Sequence, residues 1–187
     1  MAADSKPENS RARKPLTQDR LKEVLSYDLD SGVLRWRVNI ICGRGRVRVR
    51  AGEVAGSIKR RRNDTVAYRI ICIDYRMHKA HRLAWMYAFG DPVPVVIDHI
   101  DHDGLNNRIS NLRAATHSQN LANRGATVSS SSGIKGVTWY KRDGLWKSQI
   151  KVNYKNIWLG TFTNIEDAAS AYGAASKKYF GEFARTR

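Results

Sequence analysis

The fold is decided by residues 98–120, which read DHIDHDGLNNRISNLRAATHSQN. An apolar run precedes this stretch and ends as a strand at Asp98, and Leu112 begins a second short strand-like segment. Thr116 and Gln119 have the spacing of a capping box, which predicts that a helix begins at Thr116. The predicted order is therefore strand, loop, strand and helix.

Two oxygen-bearing side chains of this stretch are predicted to meet. Asp98 ends the first strand, and Asn120 lies in the first turn of the predicted helix. A carboxylate and an amide with no thiolate nearby suit Mg²⁺ or Mn²⁺ better than zinc. The sequence thus predicts that Asp98 and Asn120 hold one hard metal ion.

The histidine that follows the predicted metal ligand is a candidate general base. A neutral imidazole accepts a proton near pH 7, so His99 can deprotonate water beside the metal ion. The amide oxygen of Asn111 is predicted to accept from the other imidazole nitrogen and to fix the tautomer. The predicted catalytic pair is therefore His99 and Asn111, while the metal ion would take up charge on a phosphate group.

Charge and composition narrow the choice of partner. The 187 residues include 33 Lys and Arg against 17 Asp and Glu, a formal net charge of +16, which favours a polyanion such as nucleic acid. No apolar run approaches the ~20 residues that span a bilayer, and the first residues lack the apolar core of a signal peptide. Two cysteines do not make a disulfide framework. We therefore expect no membrane partner and a cytoplasmic location.

Composition also divides the chain into four parts. Residues 1–15 are polar and basic, which predicts a disordered tail. Residues 16–124 have a globular pattern and contain the chemical stretch together with a basic strand region. Residues 125–133 include four consecutive serines and are predicted to be a linker. Residues 134–187 are predicted to form a compact C-terminal unit.

Arginines alternate with small or apolar residues within residues 42–50, which read CGRGRVRVR. This period of two predicts that the arginines share one face of a strand. One interpretation is a charged strand edge that is protected from aggregation. The other, which the net charge favours, is contact with nucleic-acid phosphates. The predicted contact residues are Arg44, Arg46, Arg48 and Arg50.

The C-terminal unit has the pattern of a three-stranded sheet and one helix, which makes the whole chain α+β. Asp143-Gly144 marks a hairpin turn, and polar and apolar residues alternate through residues 146–153. Thr163 and Glu166 have capping-box spacing at the start of the predicted helix. The outer sheet face is polar and basic, with an exposed Trp158. It is either a solvated face or a surface that enters the major groove of DNA.

Residues 81–123 resemble the HNH endonucleases, specifically the phage and homing nucleases with a ββα-metal fold. The matching residues are His81-Arg82-Leu83, Asp98-His99, Asn106-Asn107-Arg108, Asn111-Leu112 and Asn120. The resemblance implies that Asp98 and Asn120 bind the metal ion, that His99 is the base and that Asn111 orients it. Many members of the family have His where this chain has Asn120.

Residues 133–183 resemble the AP2 DNA-binding domain of plant transcription factors and mobile nucleases. The resemblance rests on Gly136-Val137, Trp146, the run WLGTF at residues 158–162, and EDAA at residues 166–169. It implies that the small three-stranded antiparallel sheet, packed on one helix, contacts bases and phosphates of duplex DNA. The implied contact residues are Lys135, Thr138, Tyr140, Gln149, Lys151, Asn156 and Trp158.

Together the two units predict a metal-dependent, site-recognising DNA endonuclease. We expect a monomer that acts on double-stranded DNA in the cytoplasm of a bacterial or phage-infected cell. Two alternatives stay open, a DNA-binding regulator with an inactive nuclease module and an RNA-binding module that stacks single strands on its aromatic residues. Metal-dependent loss of supercoiled DNA tests the first, and competition between duplex DNA and single-stranded RNA tests the second.

Overall fold

The computed structural model describes residues 15–41, 45–60, 66–126 and 130–185. Its helices alternate with small antiparallel sheets, so the α+β class predicted from the sequence is confirmed. Of the predicted tail only Pro15 lies within the described residues, and Arg44 lies outside them. In the described part of the chain, no helix has both the length and the apolar character that crossing a bilayer requires.

Among the described residues of the first half, helix α1 (Gln18–Val24) is followed by seven short strands. The side chain of Thr17 caps this helix by accepting a hydrogen bond from the backbone N–H of Arg20. Strands β1 (Leu25–Tyr27) and β2 (Leu34–Trp36) pair with each other, β3 (Ile40–Ile41) pairs with β4 (Val47–Val49), and β5 (Ser57–Lys59), β6 (Tyr68–Ile73) and β7 (Arg76–Lys79) form a three-stranded sheet.

One hydrophobic core holds these elements together. Leucines of α1, β1 and β2 meet Ile71 of β6 and Leu83 of helix α2 (Ala80–Phe89), and all of these side chains are almost inaccessible to water. Helix α2 ends at Gly90, whose φ of 79° is a conformation that favours glycine. The core therefore fixes α2 against the sheet that carries β6.

The strand predicted for residues 44–50 is shorter in the structure. Only Arg48 lies within β4, while Arg46 and Arg50 flank it, and all three side chains are exposed. The pairing of β4 with β3 is interrupted by a bulge next to Ile41. Because the strand contains only one of the four arginines, the prediction that they share one strand face stays a prediction.

The predicted order of strand, loop, strand and helix is confirmed. Strand β8 (Val96–His99) pairs antiparallel with β9 (Leu112–Ala115), and helix α3 (His117–Asn123) follows. The side chain of Thr116 accepts from the N–H of Gln119, and the side chain of Gln119 accepts from the N–H of Thr116, so the predicted capping box forms. Helix α3 lies against both strands of this pair.

The second half of the chain packs one helix on one face of a three-stranded antiparallel sheet. The sheet consists of β10 (Val137–Tyr140), β11 (Leu145–Val152) and β12 (Lys155–Phe162), and the helix is α4 (Ile165–Phe180). Alanines on α4 leave room for the helix to lie close to the strands. The buried side chains of this second core include Val137, Ile150, Ala168, Tyr172 and Phe180.

Helix α4 begins one residue later than the sequence predicted. Its N-cap is Asn164, whose side-chain oxygen accepts from the N–H of Asp167 at 2.8 Å. The predicted capping box of Thr163 and Glu166 is therefore wrong. The short amide of Asn164 supplies the acceptor that the prediction assigned to the preceding threonine.

The two halves contact each other through β9 and α3. Ala115 of β9 packs against the second core, and Ala122 of α3 is one of its buried residues. The hydroxyl of Ser118 accepts from the N–H of Asn153 at 3.4 Å. Within the predicted linker, the hydroxyl of Ser132 donates to the carbonyl of Val137 at 2.6 Å. The predicted limits, 16–124, 125–133 and 134–187, stay predictions.

Candidate functional site

Asp98 lies at the centre of a hydrogen-bonded group that joins β8, β9 and α3. The residue is 4% exposed. Arg113, its cross-strand partner on β9, donates from Nε to Oδ2 at 2.9 Å. Asn123, at the end of α3, donates from Nδ2 to both carboxylate oxygens at 2.9 Å and to the carbonyl of His99 at 3.0 Å. Both oxygens of Asp98 therefore have protein partners.

The α3 side chain that meets Asp98 is Asn123, and the sequence had predicted Asn120. Asn123 is buried, whereas Asn120 is half-buried one turn earlier on the same helix. Residues three apart on a helix share a face, so both amides belong to the side of α3 that faces the strands. The sequence places two asparagines, Asn120 and Asn123, three residues apart on this helix. Their spacing alone does not show which of them contacts Asp98.

His99 is buried beside this carboxylate. Burial lowers the pKa of the imidazole, and the side chain of Asn107 and the nearby carboxylates, which raise it, offset only part of that effect. In the described part of the chain, Nε2 of His99 has no hydrogen-bond partner. The imidazole is therefore neutral at pH 7, which is the state that accepts a proton.

Asn111 holds the loop, and its predicted contact with the imidazole is corrected. Its Oδ1 accepts from the N–H of Asp101 at 3.1 Å, and its Nδ2 donates to Asp101 Oδ1 at 2.8 Å and to the carbonyl of Asn106 at 2.9 Å. The 3-10 turn Ile109–Asn111 directs this side chain into the loop. The amide that raises the pKa of His99 is instead that of Asn107, whose Oδ1 makes no hydrogen bond of good geometry in the described part of the chain.

The loop between β8 and β9 is braced from several sides. Burial raises the pKa of Asp101, but hydrogen bonds from Asn106, from the N–H of Asp103 and from Asn111 outweigh it, so the pKa is lowered and the carboxylate stays charged. The hydroxyl of Tyr27 donates to the carbonyl of Asn107 at 2.7 Å. These contacts hold the residues around His99 in one arrangement.

A second buried histidine lies against His99. The rings of His81 and His99 meet edge to face with centroids 5.0 Å apart, and the ring of Tyr68 lies within 6.0 Å of both. Burial and the neighbouring His99 lower the pKa of His81 to about 3. His81 is therefore a neutral packing partner in the wall of the site.

The donor set at Asp98 fits a hard cation that keeps most of its water. The carboxylate of Asp98 and the amide of Asn120 offer oxygen ligands, the kind that Mg²⁺ and Mn²⁺ accept, whereas Asn123 turns its Nδ2 towards the carboxylate. Among the described residues, no cluster of three or more His, Cys, Asp or Glu side chains could hold a metal ion. The unpartnered Nε2 of His99 and Oδ1 of Asn107 leave two buried polar atoms for a ligand or water.

The outer face of the C-terminal sheet forms a polar and aromatic surface. Cross-strand pairing sets Gln149 beside Trp158 and Lys151 beside Asn156, while α4 covers the opposite face. The exposed Trp158 retains 55% of its surface in water. The sheet residues predicted to touch DNA share this outer face, namely Thr138, Tyr140, Gln149, Lys151, Asn156 and Trp158.

In a comparison with known proteins, each half of the chain matches a different family. A family model described as HNH endonuclease matches residues 78–122, and one described as AP2 domain matches residues 132–182. Protein 3.8 of Escherichia phage T7 is 32% identical over 115 residues, which cover 60% of this chain and 93% of the phage protein. The chain belongs to the HNH endonuclease family. It also carries an AP2 domain.

Other relatives match one or both parts of this HNH endonuclease. An uncharacterized HNH endonuclease of Acanthamoeba polyphaga mimivirus is 33% identical over 116 residues, and the chain spans 59% of its length. An AP2/ERF and B3 domain-containing transcription factor of Arabidopsis thaliana is 44% identical over 54 residues, which cover 16% of that protein. The predicted family, fold class and enzyme class are thereby confirmed.

Lys135 of the AP2 domain, which was predicted to contact DNA, binds backbone carbonyls at the end of α3. Its Nζ donates to the carbonyls of Leu121, Ala122 and Arg124 at 2.6, 2.8 and 2.8 Å. These carbonyls are at the C-terminal end of α3, where a lysine ammonium is favourable. Lys135 therefore caps the helix of the HNH domain. Lys147, which the predicted set left out, lies over the ring of Tyr140 at 3.1 Å on the outer face.

Proposed function

We propose that this HNH endonuclease is metal-dependent and site-recognising, of the homing or phage type, and hydrolyses phosphodiester bonds in duplex DNA. The observation that carries the proposal is the buried pair Asp98 and His99 at the end of β8. The carboxylate is a ligand for a cation, and the adjacent neutral imidazole is a proton acceptor. The net charge of +16 suits a polyanionic substrate.

His99 is the general base in this proposal. Among the described residues its Nε2 has no hydrogen-bond partner, so it is available to accept the proton of the attacking water. Burial keeps the imidazole neutral before that step. Asn111 contributes indirectly, because it holds Asp101 and the loop that follows His99.

Asp98 is the proposed metal ligand, and an amide of α3 supplies a second oxygen. The resemblance favours Asn120, because Asn123 contacts Asp98 through its Nδ2, which donates hydrogen bonds and is not a metal ligand. A bound Mg²⁺ or Mn²⁺ supplies positive charge that stabilises the phosphate and the leaving oxygen.

The AP2 domain supplies affinity and register in this proposal. The outer sheet face offers lysines for phosphates, amides for base edges and Trp158 for apolar contact. The exposed Arg46, Arg48 and Arg50 add contacts to the DNA backbone. The proposed nuclease site at Asp98 and His99 would cut one strand at a time, which favours a monomer that nicks one strand.

The proposed function is tested with supercoiled plasmid that carries the genomic DNA flanking the chain's own coding sequence. Purified protein is incubated with Mg²⁺, Mn²⁺ or EDTA, and the products are separated on a gel. We expect nicked or linear plasmid with either metal ion and intact plasmid with EDTA. Tight binding with intact plasmid under every condition would contradict the proposal.

A further inference from the structure

Arg113 links the AP2 domain to the carboxylate at the centre of the HNH domain. One side of its guanidinium donates from Nε to Asp98 Oδ2 at 2.9 Å. Its other nitrogen, Nη1, donates to the carbonyl of Glu182 at 3.1 Å and lies 3.5 Å from a carboxylate oxygen of that residue. The guanidinium carbon lies 3.7 Å above the centre of the Phe183 ring. Glu182 and Phe183 belong to the 3-10 turn that follows α4.

This arrangement fixes the guanidinium on three sides. The side chain of Arg113 is 12% exposed and that of Asp98 4%, so little water competes for either group. A planar guanidinium that stacks on a ring and donates along its edges has one favoured orientation, which a lysine ammonium does not reproduce. The orientation of the Asp98 carboxylate therefore depends on residues at the end of the AP2 domain.

A second set of contacts ties the same domain to α3. Lys135 binds three carbonyls at the end of this helix, next to Asn123, which itself donates to Asp98. The AP2 domain thus contacts the Arg113 side chain directly and the end of the helix that carries Asn123, the two residues that donate hydrogen bonds to Asp98. One contact runs through Arg113 and the other through the backbone that carries Asn123.

We infer that Arg113 is a positioning residue which couples the docking of the AP2 domain to the geometry of the metal ligand Asp98. The inference rests on the proposed function, because it takes Asp98 as that ligand. Partners that orient a ligating carboxylate commonly control metal affinity without touching the ion. The turn Gly181–Phe183 is on this account part of the nuclease centre as well as the end of the AP2 domain.

Two substitutions test the inference from opposite ends of the contact. Arg113→Lys keeps the positive charge and removes the planar fork, and Phe183→Leu removes the ring while leaving Arg113 in place. Matched controls are Arg20→Lys, at an exposed ion pair with Asp74, and Phe89→Leu, at the exposed end of α2. Thermal unfolding of each variant checks that the chain is folded.

The decisive readout is metal binding that does not depend on turnover. Each substitution is placed on a His99→Ala background, and Mn²⁺ binding to the complex with flanking genomic DNA is measured by the paramagnetic resonance signal of free Mn²⁺. We expect the Mn²⁺ dissociation constant to rise about tenfold for both test variants and to stay unchanged for both controls. DNA affinity in EDTA should be unchanged in all of them.

Nicking rates of the same substitutions with His99 intact complete the test. A positioning role predicts that excess Mn²⁺ restores the rate of Arg113→Lys and Phe183→Leu. Unchanged Mn²⁺ affinity in either variant, or a lost rate that excess Mn²⁺ does not restore, would overturn the inference. A wild-type chain that neither binds Mn²⁺ on DNA nor nicks would overturn the proposed function itself, and that result is seen without any Arg113 variant.

Discussion

His81 and His99 place two neutral imidazoles side by side in the wall of the site. A charge on one ring disfavours a charge on the other, and burial adds to this cost for both. Protonated His99 therefore needs negative charge nearby to stabilise its positive charge. The carboxylates of Asp98, Asp101 and Asp103 supply it, and they raise the pKa of the imidazole. In the proposed mechanism His99 takes a proton during the reaction and releases it afterwards.

The two amides of α3 can be separated by their effects on stability. Asn123→Ala removes the hydrogen bonds to Asp98 and leaves a buried carboxylate oxygen unpaired, so we expect a loss of about 1–3 kcal/mol in the free energy of unfolding. Asn120→Ala, at a half-buried position, should change it by less than about 0.5 kcal/mol. Urea denaturation measures both values. Equal losses would contradict the central position given to Asn123.

The hydrogen bond from Tyr27 to the loop predicts a pH dependence. Burial raises the pKa of Tyr27 to about 12 and outweighs the N–H of Ile109, which lowers it. The pKa is thus higher in the folded than in the unfolded chain, so the stability that the neutral phenol contributes is full below about pH 10 and is lost as the pH rises towards about 12.

Tyr27→Phe should therefore destabilise the chain by about 1 kcal/mol at about pH 8, and the difference from wild type should shrink by about pH 11. Urea denaturation at the two pH values measures this, with the exposed Tyr154→Phe as control. A difference that is independent of pH would mean that Tyr27 does not titrate as its burial predicts.

At the scale of single elements, the sheet β10–β12 is where DNA affinity should reside. Lys151→Ala removes one proposed phosphate contact, so the slope of log affinity against log salt should become shallower by about 0.9. Adding Trp158→Ala should weaken binding to the preferred site further while metal affinity stays unchanged. Fluorescence anisotropy over a salt series measures both effects. Lys177→Ala on the exposed side of α4 is the matched control, and an equal effect there would contradict the assignment.

The sequence predicted those elements whose defining residues lie close together along the chain. The capping box of Thr116 and Gln119 lies within one turn, and the alternation in β11 follows from its own residues. Contacts between distant segments could not be predicted in the same way. Asn123 reaches Asp98, and Lys135 reaches the end of α3, only because packing brings these segments together.

At the scale of the whole molecule, Lys135 distinguishes a contact within the protein from a contact with DNA. Lys135→Met keeps most of the side-chain volume and leaves three carbonyls of α3 without their donor, so we expect a loss of about 1–3 kcal/mol in stability. The salt dependence of DNA binding should not change. A slope reduced by about 0.9 with unaltered stability would return Lys135 to the DNA-contacting set.

The two domains therefore form one working unit in this account, with DNA held by the AP2 sheet and cut at the end of β8. The central claim is that His99 is the base in this unit and contributes nothing to holding DNA. The half-buried His78, beside Asp74, offers a histidine of similar kind outside the site.

The most direct test is the single-turnover rate of plasmid nicking by wild type, His99→Ala and His78→Ala with Mn²⁺, alongside their DNA affinities in EDTA. The account predicts that His99→Ala lowers the rate by about 10²–10⁴-fold while its DNA affinity and the activity of His78→Ala stay unchanged. A His99→Ala variant that nicks at the wild-type rate, or that loses DNA binding in proportion to its rate, would contradict it.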